Sequence, residues 1–331
     1  MNGERPALQQ QGPRQRAPSF TAFGLAAEAE KLNPGLHLVA TPIGNLKDIS
    51  FRALATLAAA NAILAEDTRV TKTLLAHYGI STPLMAYHEH NAAQMRPQIL
   101  TRLRAGEALA LVSDAGTPLV SDPGYKLVAS VLEEGIAVTS VPGASAVLTA
   151  LVVSGLPSDR FFFEGFLPQK SAGRRSRFAA LAAVPGSLVF FESPRRLAAM
   201  LSDAAHVLGD RPAAVARELT KLFETVRRGT LASLAQDYES EGPPKGEIVV
   251  IIGPPDAGGE KGAAGDLDAR IVAALEIHSL KDAATVVAAD TGLPRREVYA
   301  RALTLTAGAK ADAKADTGRA ETEAEADDDD A

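Results

Sequence analysis

The stretch EALALVSDAGTPLVSDPGYKLVASVLEEGIAVTSV, residues 107–141, decides the fold. Residues 107–112 are too short an apolar run for a stable helix, and they end in a long turn of Ser, Asp, Gly and Pro. That reads as a strand buried on both faces, because a half-exposed strand would alternate polar with apolar residues. A helix follows near residues 125–134, and residues 136–141 form a second apolar strand after Gly135. Strand, helix and strand in this order argue for a parallel sheet covered by helices.

The same alternation extends in both directions. LHLVAT (residues 36–41) is a strand, residues 51–60 a helix and AILA (residues 62–65) another strand. Asp67 and Thr68 can cap a helix whose Val70, Leu74 and Leu75 share a face. PLMAY (residues 83–87) is followed by a helix near 91–104, with Met95, Ile99 and Leu103 at helical spacing. Beyond Gly155-Leu156-Pro157 a second set begins: strands at 161–166, 187–191, 213–218, 224–229 and 247–252, and helices near 174–183, 195–208 and 231–239. The reading is therefore two α/β domains, 35–156 with a parallel sheet and 157–254 with a mixed one. Residues 255–265 form a linker. Residues 266–306 are helical, with helix–turn–helix spacing about Thr291-Gly292-Leu293-Pro294. Residues 1–34, rich in Pro, Gln, Arg and Ala, and the acidic tail 307–331 are expected to be disordered.

The 331 residues suffice for two cores. No cysteine is present, which excludes a disulfide framework, a thiolate metal site and a cysteine nucleophile, and suits a cytoplasmic protein. No stretch approaches the roughly 18 continuous apolar residues of a membrane span, and the first residues have no apolar core of the secretory kind. The net charge of −6 hides an asymmetry: residues 160–230 carry twelve Lys and Arg against six Asp and Glu, while 315–331 carry eight acids against one arginine. A local basic region is either a solvated face or a contact for an anionic polymer.

Three turns follow strand ends in the first domain: TPIGNL (residues 41–46), SDAGTPLVSDPG (113–124) and PGASA (142–146). Ligands of open α/β sheets bind at such ends, and glycine or alanine there lets ligand atoms approach the backbone. Neither G-x-G-x-x-G nor G-x-x-x-x-G-K-[ST] follows a strand, which argues against a pyrophosphate or triphosphate cradle. A phosphate-free ligand such as S-adenosylmethionine fits better. Asp114 could hold it, or could simply satisfy N–H groups of its own turn.

The blocks LHLVATPIGNLKDISFRAL, AEDTRVTKTLL, YHEHN, ALVSDAGTPLVSDPG, VPGASAVLTAL, FEGFLP, FFESPRR and ARELTK stand in one order. In that order and spacing the chain resembles the small-subunit ribosomal RNA methyltransferase I group of the tetrapyrrole methylase superfamily. The resemblance covers about residues 36–254, and the helical segment after 266 is similar to that group's C-terminal appendage. It implies S-adenosylmethionine as methyl donor, a cytidine ribose 2′-hydroxyl in the decoding centre of 16S rRNA as acceptor, and a homodimer. It further implies a cofactor lined by Pro42, Ile43, Asp114, Ala115, Gly116, Thr117, Ser145 and Ala146 from the first domain. Phe191, Ala216 and Glu247 would face it from the second, although Phe191 and Ala216 read equally as buried strand positions.

A ribose hydroxyl is a weak nucleophile, so a general base could add about 10²- to 10⁴-fold. Candidates are Glu218 and Lys221, which leave a strand at the expected cleft, and Glu192, Asp67 and His88. Arg69, Arg195, Arg196 and Arg217, together with Lys221, are the expected phosphate contacts. Arg195 and Arg196 follow Pro194 at a helix start, where the dipole does not favour cations. His88 and His90 alternate as metal ligands might, but no metal is expected. Two other readings stay open: a tetrapyrrole acceptor, against which TPIGNL stands in place of a G-x-G-x-G-D loop, and a nucleic-acid-binding regulator built on the helical appendage.

Overall fold

The computed structural model describes residues 17–121, 124–255, 263–291 and 293–306. The chain forms two compact units, divided after Pro255.

The first described elements correct an expectation. Within the stretch read as disordered, Ser19–Ala22 (β1) and Leu25–Glu28 (β2) pair as an antiparallel hairpin. Its turn residues Phe23 and Gly24 both take left-handed φ values, 53° and 77°, the geometry that matches the twist of a two-residue hairpin. Phe20 is buried in the first domain's core, and Thr21 donates its backbone N–H to the Tyr78 carbonyl at 2.7 Å. One buried aromatic and one glycine carry this hairpin, a signal easily lost among polar and Pro residues. Residues 1–16 lie outside the described residues.

The first domain then alternates as expected: Gly35–Val39 (β3), Phe51–Ala59 (α1), Ala62–Ala65 (β4), Thr68–His77 (α2), Leu84–Ala86 (β5), Ala92–Arg104 (α3), Ala108–Val112 (β6), Tyr125–Glu133 (α4) and Val138–Val141 (β7). The strand order is β5-β4-β6-β3-β7, and every pair is parallel. Alternate residues of β6 serve opposite cores. Ala110 and Val112 face α1 and α2, while Leu109 and Leu111 face α3 and α4. This is why the strand sequence is apolar throughout. In α2 the buried residues are Thr71, Leu74 and Leu75, whereas Val70 is 45% exposed and leaves the expected face. The buried arc is centred one residue later, where Thr71 and Leu75 stack one turn apart.

From β3 the chain crosses towards β4, and from β6 it crosses the other way towards β7. The adjacent strands β3 and β6 therefore form a topological switch point, and the crevice beyond their carboxyl ends is left open. The loops after β3, β6 and β7 all meet there.

Ala146–Ser154 (α5) was not recognised from the sequence as a helix. Its run is apolar on nearly every side, so it lacks the one-sided periodicity of a surface helix. Its inner face is buried, while Leu148 and Val152 on the outer face are apolar and exposed. Val147, Ala150 and Leu151 pack against the second sheet through Val189, Ala214, Val249 and Ile251. Full burial of Val147 and Leu151 contributes about 1.5–3 kcal/mol each.

The second domain comprises Phe161–Phe166 (β8), Ser171–Leu181 (α6), Ser187–Glu192 (β9), Leu197–Leu208 (α7), Pro212–Arg217 (β10), Thr225–Thr230 (β11), Leu231–Glu241 (α8) and Ile248–Ile252 (β12). Its order is β11-β10-β12-β9-β8. β8 and β9 are parallel and the remaining pairs antiparallel, so the sheet is mixed. Helices α6, α7 and α8 cover one face and α5 covers the other. Arg195 and Arg196 lie in a short 3₁₀ turn, Pro194–Arg196, and α7 begins only at Leu197.

The second unit contains Ala263–Leu275 (α9), Leu280–Thr291 (α10) and a helix over residues 295–306 (α11). Ile271, Ala284, Val287, Val298 and Ala302 form its core. Most of the linker, Gly292 and the acidic tail lie outside the described residues.

Candidate active site

The site begins with backbone. Thr41, just after β3, and Gly116, after β6, exchange both N–H···O bonds at 2.9 and 3.0 Å. The Thr41 hydroxyl also donates to the Ser113 carbonyl at 3.2 Å. Gly116 has φ +83°, and a Cβ there would stand 3.3 Å from Ile43 Cγ2. Thr117 donates to the Ala144 carbonyl at 3.3 Å, which ties the loop after β6 to the loop after β7. Ser145 caps α5 by accepting the Leu148 N–H. Three turns, each weak alone, are thereby locked into one wall.

A cavity of about 420 Å³ separates this wall from the second domain, within the roughly 300–1,000 Å³ usual for small-molecule sites. Ile43, Ala115, Thr117, Ser145 and Ala146 line one side, and Phe191, Ala216 and Glu247 the other. Sequence reasoning missed Val120, Ser121, Phe166, Leu219 and Gly246, which also line it. Val120 and Phe166 are exposed apolar residues, and that exposure cannot be read from a run of hydrophobic letters. The Phe191 ring packs edge-on to Phe163, with centroids 4.9 Å apart, and makes an apolar floor.

Glu192 at the end of β9 also lines this cavity, with its side chain fully buried. Oε1 accepts the Ser193 N–H at 2.7 Å and lies 3.2 Å from Arg196 Nε, within ion-pair reach though not aligned as a hydrogen bond. Oε2 has no hydrogen-bond partner. A buried carboxylate oxygen left without a donor is costly, so the position suits a ligand that brings one.

A second cavity of about 380 Å³ adjoins the first and shares Ile43, Ala115 and Glu247 with it. Pro42 and Asp114 line this one, together with Gly44, Thr71 and Lys221. Asp114 Oδ1 accepts the Asp67 N–H at 2.9 Å, so half of its carboxylate serves local structure. Lys221 Nζ donates to Glu218 Oε1 and Glu247 Oε2, both at 2.9 Å. Its stem lies over Gly44, where a Cβ would come within 2.5 Å of Lys221 Cγ. Lys221 thus reaches from the second domain across the first domain's loop. Glu218 and Thr220 hold left-handed φ values of 52° and 66°. Such strain, about 1–3 kcal/mol per residue, persists only where surrounding contacts impose it.

The electrostatics sort the candidate bases. Hydrogen bonds from Lys221 and the Glu247 N–H hold the Glu218 carboxyl below its ordinary value. Burial pulls the Lys221 ammonium down, but Glu218 and Glu247 outweigh it and leave its pKa raised. A lysine held this firmly as a cation does not accept a proton at neutral pH. Asp67 falls to about 2, first through the Arg69 side-chain hydrogen bond. His88 lines neither cavity, and its Nδ1 is buried without a partner. Among the described residues no cluster of three His, Asp or Glu could hold a metal, and no helix is long and apolar enough to cross a membrane.

The four arginines named as phosphate contacts separate. Arg69 is 89% exposed and paired with Asp67. Arg195 is exposed and makes no hydrogen bond or ion pair among the described residues. Arg196 donates to the Leu167 and Pro168 carbonyls at 2.8 and 3.2 Å. Arg217 bonds Thr225 Oγ1 and the carbonyls of Phe223 and Lys245. Most of the basic region is likewise used internally. Arg174 and Arg175 hold Asp203, Arg177 holds Glu164, Arg227 holds Glu241, and Arg228 caps the Val153 and Ser154 carbonyls at the end of α5.

Comparison with known proteins fits this architecture. Residues 35–235 match the family model of Tetrapyrrole (Corrin/Porphyrin) Methylases, and residues 261–306 match an RsmI C-terminal HTH domain. A cobalt precorrin-4 methyltransferase shares the fold at TM-score 0.51 and 17% identity, covering 66% of this chain and 94% of its own. Diphthine synthase does so at TM-score 0.51 and 16% identity, with 66% and 89% covered. Closer in sequence is the Ribosomal RNA small subunit methyltransferase I of Mesorhizobium japonicum, 51% identical over 278 residues, 84% of this chain and 94% of the relative. The protein of that name from Escherichia coli O157:H7 is 47% identical over 274 residues, 81% and 94% of the two chains. With two cavities at the switch point of a tetrapyrrole methylase fold and such identity over nearly the whole of these relatives, the chain belongs to the ribosomal RNA small subunit methyltransferase I family.

Proposed function

We propose that this protein transfers the methyl group of S-adenosylmethionine to the ribose 2′-oxygen of a cytidine in the decoding region of 16S rRNA, acting as a cytoplasmic homodimer. The observation that carries the reading is the pair of adjoining cavities, joined at Ile43, Ala115 and Glu247 and guarded by a fixed lysine. The donor occupies the first cavity, with Gly116, Pro42 and Asp114 at its edge. Phe191 and Ala216 give its apolar side, and Glu192 Oε2 is free to accept a hydrogen bond from an amino group. The acceptor ribose enters the second cavity, beside Lys221.

The ribose O–CH₃ bond forms as the S–CH₃ bond breaks, S-adenosylhomocysteine leaves, and the hydroxyl proton passes to solvent. With the donor already activated, alignment of the two reactants supplies most of the rate. The Lys221 ammonium favours the developing alkoxide, and Glu218 acts by holding that ammonium rather than as a base. Arg195 and Arg69 remain exposed to meet phosphates, while Arg196 and Arg217 shape the loops around the site. The dimer is supported by Leu148 and Val152, exposed one turn apart on α5, and by Phe161 and Phe166 on the edge strand β8.

The test is incubation with methyl-labelled S-adenosylmethionine and small ribosomal subunits that lack the modification. Label recovered in 16S rRNA is expected. Label recovered only in a porphyrinoid, or in neither, would overturn the proposal.

A further inference from the structure

The second unit carries a charge pattern that its composition hides. Residues 263–306 hold five Lys and Arg against six Asp and Glu, so nothing in the net charge marks this unit for an anionic partner. The pairing does. Arg270 binds Asp290 and Arg301 binds Asp268, at 2.6 and 2.7 Å. The other three cations, Lys281, Arg295 and Arg296, are exposed and make no ion pair or hydrogen bond among the described residues. They meet in space: Lys281 at the start of α10 and Arg295 and Arg296 at the start of α11 line one concavity, and Tyr299, one turn further along α11, completes it. No acidic side chain lines it. Cations at two helix starts run against the helix dipole, a cost that a bound anion removes.

We infer that Lys281, Arg295, Arg296 and Tyr299 form an RNA-backbone site on the helical appendage. Three unneutralised cations suit consecutive phosphates. A half-exposed tyrosine among them offers a face on which a base or ribose can stack. The concave shape and the aromatic member favour structured RNA over an acidic protein segment. This inference deepens the proposed function and rests on its RNA substrate.

The test uses the full-length chain with Lys281→Gln, Arg295→Gln and Arg296→Gln combined, and separately Tyr299→Ala and Tyr299→Phe. Affinity for protein-free 16S rRNA is measured by filter binding over a salt series, alongside methyl transfer to small subunits and calorimetry of S-adenosylmethionine. The triple variant should flatten the log–log salt slope by about 2 to 3, since each of the three lost contacts removes roughly 0.7–0.9. It should raise KM for subunits with little change in kcat, and bind the cofactor as wild type does. Tyr299→Ala should weaken RNA binding by about fivefold or more, and Tyr299→Phe should restore it. An unchanged slope and KM in the triple variant would overturn the inference and leave the patch to a protein partner or to solvent. Failure of the wild type to methylate rRNA would instead overturn the proposed function, and the binding series would still decide the site.

Discussion

The two walls of the cleft are built from different materials. The first domain contributes backbone: the Thr41–Gly116 bridge, the left-handed Gly116 and the Thr117–Ala144 bond, with no cation among the residues lining its side of the first cavity. The second domain contributes charged side chains held by other charged side chains, as in the Glu218–Lys221–Glu247 cluster and the Glu192–Arg196 pair. A backbone wall is specified by turn chemistry and tolerates little added volume. A side-chain wall is specified by pairing and depends on distant partners. The lesson is that a basic stretch of sequence is not by itself a nucleic-acid surface, since most arginines of residues 160–230 are used to hold the second domain together.

The largest effect is expected where that pairing is buried. Arg174 and Asp203 are both about 5% exposed, with Arg175 and Ser171 also bound to the carboxylate. Asp203→Asn should cost roughly 3 kcal/mol and lower Tm on the order of 10 °C, read by calorimetry. Burial pushes the Asp203 carboxyl up, but Arg175, Arg174 and Ser171 outweigh it, and its folded pKa lies below the ordinary value. Its contribution is therefore complete above the unfolded carboxylate range and is lost as pH falls through the lowered folded value. The Tm gap between wild type and variant should narrow in acid. A gap independent of pH would break the claim that these arginines are structural.

Next comes Lys221, whose side chain crosses from one wall to the other. Lys221→Met keeps the stem over Gly44 and removes the charge, so kcat should fall on the order of 10²-fold with cofactor affinity retained. Loss of cofactor binding instead would move Lys221 to the donor cavity. On the backbone wall, Gly116→Val forces a β-branched residue into φ +83° against Ile43. About 1–3 kcal/mol of strain at the cavity edge should weaken S-adenosylmethionine by roughly tenfold or more, without reducing secondary structure. Wild-type affinity by calorimetry would remove this turn from the site. The smallest effect sharpens the contrast between neighbours. Arg195→Ala should shift stability by less than about 0.5 kcal/mol, whereas Arg196→Ala removes the donor to two carbonyls and the ion-pair partner of buried Glu192, at about 1–3 kcal/mol.

This contrast also explains what could be read from the letters. The parallel sheet was legible because β3, β4 and β6 are apolar runs between turns, and the loops after β3, β6 and β7 carry glycine where ligands approach. Eight of the eleven expected cofactor residues line the first cavity and Pro42 and Asp114 line its neighbour, while Gly116 bridges to Thr41 beside them. The hairpin at residues 19–28 was hidden because one buried phenylalanine sits in a polar stretch. Helix α5 was hidden because its exposed face carries apolar Leu148 and Val152, so that no polar stripe marks it as an amphipathic helix. The Leu167 and Pro168 carbonyls bound by Arg196, the Lys245 carbonyl bound by Arg217 and the Glu247 carboxylate bound by Lys221 were illegible in principle, since partners 26 to 29 residues away leave no mark on local spacing.

The central claim is that a ribose hydroxyl meets the methyl donor where the two cavities share a wall. Its most direct test is nucleoside analysis of labelled 16S rRNA after complete turnover, combined with alkaline hydrolysis. The expected product is 2′-O-methylcytidine at a single position, with the phosphodiester on its 3′ side resistant to alkali. Label on a nucleobase, with the chain fully cleavable at that position, would contradict the account.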